Sequence, residues 1–123
     1  MATSEAAAAV HDRDGTAVIE LSGELDRSAE LALESAYAEA IDRASGPVLL
    51  DFERVGYINS TGIALIVSLL AKARAAGRAV NACGLTDHYR EIFEITRLSD
   101  FMTIFPDEES ALAGSNRPNQ GER

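Results

Sequence analysis

Apolar and polar positions divide this chain into strand-like and helix-like segments that succeed one another in a regular order. Glu5 to Val10 reads as an edge strand, Asp12-Arg13-Asp14-Gly15 carries turn chemistry, and Thr16 to Leu21 follows as a second strand, so the chain opens on a hairpin. Ser28 to Ala44 places Leu33, Ala36, Tyr37, Ala40, Ile41 and Ala44 on one face and Glu30, Glu34, Glu39 and Arg43 on the other, the pattern of an amphipathic helix. After Gly46-Pro47, the nearly continuous apolar run Val48-Leu49-Leu50-Asp51-Phe52 predicts a central strand covered on both faces. Asp51, at its end, is read as a structural residue that bonds the nearby loop.

Glu53 to Gly56 forms a connection, and Tyr57-Ile58 leads into Asn59-Ser60, two side chains whose oxygens suit a helix N-cap. The second helix therefore starts near Ser60. Its stripe is Ile63, Ile66, Val67, Leu70 and Ala73, widened by Leu65 and Leu69, and it ends near Ala76-Gly77, where glycine accepts the left-handed cap. A short strand follows over Arg78 to Gly84. Thr86 or Asp87 then caps a third helix through about Glu94, with Ile92, Phe93, Ile95 and Leu98 facing the core. Phe101 to Phe105 is the last strand, and Pro106-Asp107-Glu108-Glu109-Ser110 opens a final short helix with proline and acids in its first turn. The polar stretch from residue 114 to Arg123 has nothing to bury and is expected to be a disordered tail behind one domain over residues 1–113. There is no internal repeat. Strand and helix alternate from Val48 onward, which predicts right-handed crossovers and a mainly parallel sheet with a mixed edge supplied by the hairpin.

Composition narrows the function classes more than it names one. A chain of 123 residues with 46% hydrophobic side chains suits one domain with a real core. The formal charge of −9, with no basic stripe, speaks against direct binding of nucleic acid and suits either plain solubility or a basic protein partner. Met1 to Val10 lacks the basic start and apolar run of a secretory signal, and no run approaches the length of a membrane span, so a cytoplasmic protein without membrane insertion is expected. Cys83 is the single cysteine and reads as a small core residue, while His11 and His88 stand apart. No metal site or cofactor is expected.

The candidate chemistry sits at Asn59-Ser60-Thr61-Gly62. Two readings stand at this point: an ordinary cap in which the hydroxyls satisfy backbone donors and Gly62 permits close packing, or a switch in which phosphate on Ser60 adds about −1.5 to −2 charges beside the positive helix end. A catalytic serine is disfavoured because residues 58 to 62 lack the first glycine of a nucleophile elbow and no histidine-acid pair is placed to serve it; His88 reads as a solvated first-turn residue. There is also no glycine-rich loop with lysine for nucleotide phosphates. The protein is read as a non-enzyme.

From Val18 to Leu112 the chain resembles the anti-sigma factor antagonists, single-domain bacterial regulators of the STAS fold. The resemblance rests on Gly23-Glu24-Leu25-Asp26, on Val48 to Phe52, on Asn59-Ser60-Thr61-Gly62 and on Tyr89 to Ile104. It implies an α/β, STAS-like single domain with a mixed, mainly parallel sheet of four to five strands and about four helices. It further implies that Ser60 is phosphorylated by a partner that is both anti-sigma factor and serine kinase, and that a phosphatase restores the unphosphorylated form. Asp26, Asn59, Ser60, Thr61, Gly62 and Ile63 are then the expected contact surface, with Ile63 also suited to the core and Asp26 also suited to capping the first helix. Asn59 stands where the family usually has aspartate; it keeps the capping oxygen and lacks the charge. A second resemblance, through Gly62-Ile63-Ala64-Leu65-Ile66, is to STAS subunits that partner the ATPase of a bacterial lipid-transport system, where the equivalent loop serves contact alone.

Overall fold

A computed structural model describes residues 5–115. Its elements run β1 (Ala7–Arg13), β2 (Thr16–Leu25), a 3-10 turn at Arg27–Ala29, α1 (Glu30–Arg43), β3 (Val48–Ile58), α2 (Ser60–Ala75), β4 (Val80–Cys83), α3 (Asp87–Ile95), a 3-10 turn at Leu98–Asp100, β5 (Thr103–Phe105) and α4 (Glu108–Ser115). The five strands form one sheet in the order β1-β2-β3-β4-β5, antiparallel between β1 and β2 and parallel thereafter. This is the mixed, mainly parallel sheet that the residue pattern implies.

The hairpin turns on Asp14 and Gly15, both at positive φ, with the Gly15 N–H donating to Asp12 Oδ1 at 2.9 Å. The larger core lies on the face covered by α1 and α2, where Leu33, Ala36 and Ala40 of one helix and Ile66, Leu69, Leu70 and Ala73 of the other meet Ile19, Leu21, Leu50 and Phe52. The opposite face is closed by α4, whose Ala111 packs on Val18, Leu49 and Cys83. Both faces of β3 are thus covered, which is why its first five residues read as an unbroken buried run.

Several boundaries differ from the sequence reading. Residues 53–56 belong to β3, because β2 is long enough to pair with them: Arg54 lies opposite Ser22 and Val55 opposite Gly23, across register shifts on both sides. Asp51 consequently sits within the strand, buried, with its Oδ1 accepting from the Glu53 N–H at 3.0 Å. Residues 101 and 102 precede β5, since the chain spends Leu98–Asp100 on a 3-10 turn entered through Arg97 at φ 69°. Val67 and Ile95, both expected in the core, are 46% and 72% exposed. Each lies on the margin of its helix's apolar stripe, where no neighbouring element arrives to cover it. Helix α4 runs through Gly114 and Ser115, past residue 113 where the domain was expected to end. Residues 116–123, the rest of the predicted tail, lie outside the described residues.

Candidate functional site

The register of β2 on β3 builds the site. The pairing ends with Leu25 opposite Ile58, so Asp26 and Asn59, the next residue on each strand, emerge side by side at one edge of the sheet. The Asn59 N–H donates to the Leu25 carbonyl at 3.2 Å and locks the two exits together. Asn59 is the N-cap of α2: its backbone is extended and its Oδ1 accepts from the Gly62 N–H at 2.9 Å, while its carbonyl accepts from the Ile63 N–H at 3.0 Å. The cap is thus made by Asn59 and not by the hydroxyls, and the backbone N–H groups of Ser60 and Thr61 stay open at the helix end. Ser60 and Thr61 are exposed in the first turn, and neither side chain forms a hydrogen bond with another described residue. Of the ordinary cap described above, the N-cap bond and the close packing of Gly62 are present, and the Ser60 hydroxyl takes no part in it.

Gly62 is the packing residue of this turn. A methyl group there would overlap the Leu25 carbonyl oxygen and stand 2.8 Å from its carbon and 3.0 Å from Ile58 Cγ2. The helix start can lie this close to the end of β2 only without a side chain at 62. Ile63 is half-buried against the core, so it supports the turn from below.

Asp26 caps the 3-10 turn ahead of α1, with Oδ1 accepting from Ser28 Oγ at 2.6 Å and from the Ser28 N–H at 2.9 Å. These two bonds from Ser28 hold its carboxyl below the ordinary aspartate range, so it is a fixed negative charge beside Asn59. The capping role expected of it is what it performs, on a 3-10 turn and not on α1 itself.

Tyr89 is a site residue that the sequence reading did not single out. It projects from α3 so that its Oη accepts the Ile58 N–H at 3.0 Å, bracing β3 one residue before the cap. Nothing local marks this role, because the two partners lie 31 positions apart. At the same end of the sheet Tyr57 is 48% exposed, and Leu31, in the first turn of α1, is 76% exposed. The polar edge is thus accompanied by apolar side chains that have no cover within the described residues. His88 is exposed in the first turn of α3, and Cys83 is fully buried, its thiol pushed up by burial and by the Asp51 charge beside it.

On the α4 side of the sheet, Glu20, Asp51 and Glu108 bring carboxylate oxygens within 4.8 Å of one another. Three elements distant in sequence meet there, so no sequence motif announces the cluster. Burial raises the Glu108 carboxyl; the Arg13 guanidinium, 3.6 Å away, partly offsets this, and a hydrogen bond to Asp51 with the Asp51 and Glu20 charges raises it further. The Arg13 guanidinium offsets part of the negative charge that these three carboxyl groups bring together. Among the described residues no helix is long and apolar enough to cross a membrane.

Residues 8–105 match the protein family described as Mlab, STAS domain. BtrV of Bordetella bronchiseptica, named for anti-sigma factor antagonism, is 32% identical over 93 residues, which are 76% of this chain and 78% of that protein. A crystal structure of an anti-sigma factor antagonist from Mycobacterium paratuberculosis has the same fold, with a TM-score of 0.77 at 21% identity over 91% of this chain and 95% of that one. The phosphorylated form of the Bacillus cell fate determinant SpoIIAA superposes with a TM-score of 0.66 at 25% identity, over 87% of this chain and 97% of that one.

Proposed function

The chain belongs to the STAS domain family and stands within it among the anti-sigma factor antagonists, and from that premise we propose that it is a two-state binding module switched at Ser60. Unphosphorylated, it docks on the nucleotide-binding face of an anti-sigma factor with serine kinase activity and so frees a sigma factor in the cytoplasm. Phosphate on Ser60 weakens that contact, and a phosphatase restores it. The observation that carries this reading is the division of labour at the turn: Asn59 supplies the cap, and the Ser60 hydroxyl is left exposed and without an internal partner.

The physics of the two states follows from that position. A phosphate adds about −1.5 to −2 charges where the first-turn N–H groups and the positive end of the α2 dipole stabilise anions by about 0.3–1 kcal/mol. The fold therefore tolerates it. A partner that covers the turn must desolvate or repel the dianion, and a few kcal/mol there changes affinity roughly a hundredfold or more. Asn59 sharpens the argument. Asparagine and aspartate cap equally well, so the missing charge leaves the turn intact and lessens repulsion against a phosphate next to it. The rest of the contact surface combines the fixed charge of Asp26 with Thr61, Gly62 and Ile63 of the helix start and the exposed Tyr57 and Leu31, a polar edge with apolar anchors.

The direct test is incubation of the full chain with serine kinases of its own genome and ATP, followed by phosphosite mapping by mass spectrometry. Phosphate on Ser60, absent from Ser60→Ala, is the expected result. No phosphate on Ser60, together with stable copurification of a transporter ATPase, would replace this reading with that of a lipid-transport subunit.

A further inference from the structure

At the far end of α2 from Ser60 an open groove of about 620 Å³ runs between the last turns of that helix and the segment from Thr96 to Thr103. The two sites are fourteen residues apart on one helix, 60 to 74, or about 21 Å at 1.5 Å per residue. The groove has the size of a small-molecule site. Its floor is made by Leu70, Val80, Leu98 and Met102, all buried, and its mouth by the exposed side chains of Val67 and Phe101. These two exposed apolar residues are those that the folding of the chain itself leaves without cover here.

The charge lining the groove is opposite in sign to that of the whole protein. Arg74, Arg78 and Arg97 line it, against the single acid Asp100, in a chain of net charge −9. The carboxyl ends of α2 and α3 lie beside it and contribute about −0.5 each. With three positive charges and one negative, the local balance is still about +1. Arg78 is held in place by the Gly46 and Ala44 carbonyls, at 2.8 and 2.6 Å, and Arg97 is paired with Asp100 at 2.7 Å. Arg74 is different: its guanidinium lies over the Phe101 ring at 5.5 Å, and it has no carboxylate partner among the described residues. Arg74 thus stands at the rim of an apolar trough as the lining guanidinium without a hydrogen-bond partner among the described residues.

We infer that this groove is a second binding site, for an amphiphilic monoanion with an apolar chain and one carboxylate, the chain lying along Leu70 and Met102 and the carboxylate on Arg74. An apolar ligand without charge would leave Arg74 unanswered, and a dianion would exceed the local balance. A cationic amphiphile would be repelled. The site is separate from the proposed switch at Ser60 and does not depend on it.

The test titrates decanoate, decyltrimethylammonium and a neutral decyl glycoside, each below its micelle concentration, into the ¹⁵N-labelled full chain and follows the amide spectrum. Decanoate is expected to give saturable shifts centred on residues 67–74 and 96–103, the cation none there, and the glycoside weaker ones. Arg74→Gln should weaken decanoate about tenfold, the scale of one charge-assisted contact, and Val67→Trp, at an exposed position, should block the groove while leaving the rest of the spectrum in place. Decanoate shifts scattered over the surface or centred elsewhere, equal affinity for all three amphiphiles, or an affinity unchanged by Arg74→Gln would each overturn the inference.

Discussion

Replacing Tyr89 with phenylalanine isolates the support beneath the proposed switch. The ring and its packing remain, and only the hydroxyl that accepts the Ile58 N–H at 3.0 Å is lost. Ile58 is 6% exposed, so its donor has little access to water once the hydroxyl is gone. An unsatisfied buried donor costs about 1–3 kcal/mol; Tyr89 is half-buried, and partial entry of water puts the expected loss in the lower half of that range, about 1–2 kcal/mol. For a chain of this length that corresponds to a fall in Tm of roughly 3–10 °C. Thermal and urea unfolding followed by circular dichroism measure the loss, and amide exchange at Ile58 locates it. The Ser60→Ala variant is the control, with an expected change within about 0.5 kcal/mol, because its hydroxyl makes no internal bond. A Tyr89→Phe protein as stable as the parent, with Ile58 still protected, would refute the assignment of Tyr89 as the brace.

Three further outcomes follow from the geometry. Gly62→Ala should destabilise by about 1–3 kcal/mol, since the Leu25 backbone must move to admit a methyl, whereas Gly56→Ala, with nothing within 4 Å of the added carbon, should change unfolding by less than about 0.5 kcal/mol. Cys83, buried and with its thiol raised, should resist alkylation at pH 8 in the native protein and react fully once unfolded; rapid native labelling would contradict its placement under α4. Glu108 has a folded-state pKa raised above its ordinary 4.5, so its contribution to stability is present below about 4.5 and lost as pH rises through the raised value. Glu108→Gln should therefore be at least as stable as the parent at pH 7.5 and gain nothing at pH 4, by urea midpoints; a large loss at pH 7.5 would show that its ionised form stabilises α4.

The legible parts of this fold are those written in local pattern. Asp14-Gly15 announces the hairpin, the stripe from Ile66 to Ala73 announces α2, and the unbroken run at Val48 announces a strand buried on both faces. Less legible is whatever depends on a distant partner. Residues 53–56 look like a connection until β2 is seen to run alongside them, and Val67 and Ile95 look like core until the structure leaves a groove and an open margin where neighbours were assumed. At the site, the order Asn59-Ser60-Thr61-Gly62 was readable as a helix start, but which of two adjacent cap-forming residues takes the cap depends on backbone geometry, and it is Asn59. Tyr89 and the Glu20, Asp51 and Glu108 cluster are products of topology, with partners on separate elements, and no spacing in the sequence encodes them.

The central claim is that phosphate on Ser60 acts on the partner and spares the fold. Its most direct measurement compares the unphosphorylated and Ser60-phosphorylated protein by calorimetric titration into the anti-sigma factor, with thermal unfolding of both forms alongside. Phosphorylation is expected to lower the affinity by about a hundredfold or more and to shift Tm by only a few degrees, the scale of a helix-dipole effect. Equal affinity of the two forms, or loss of binding accompanied by collapse of the phosphorylated fold, would contradict it.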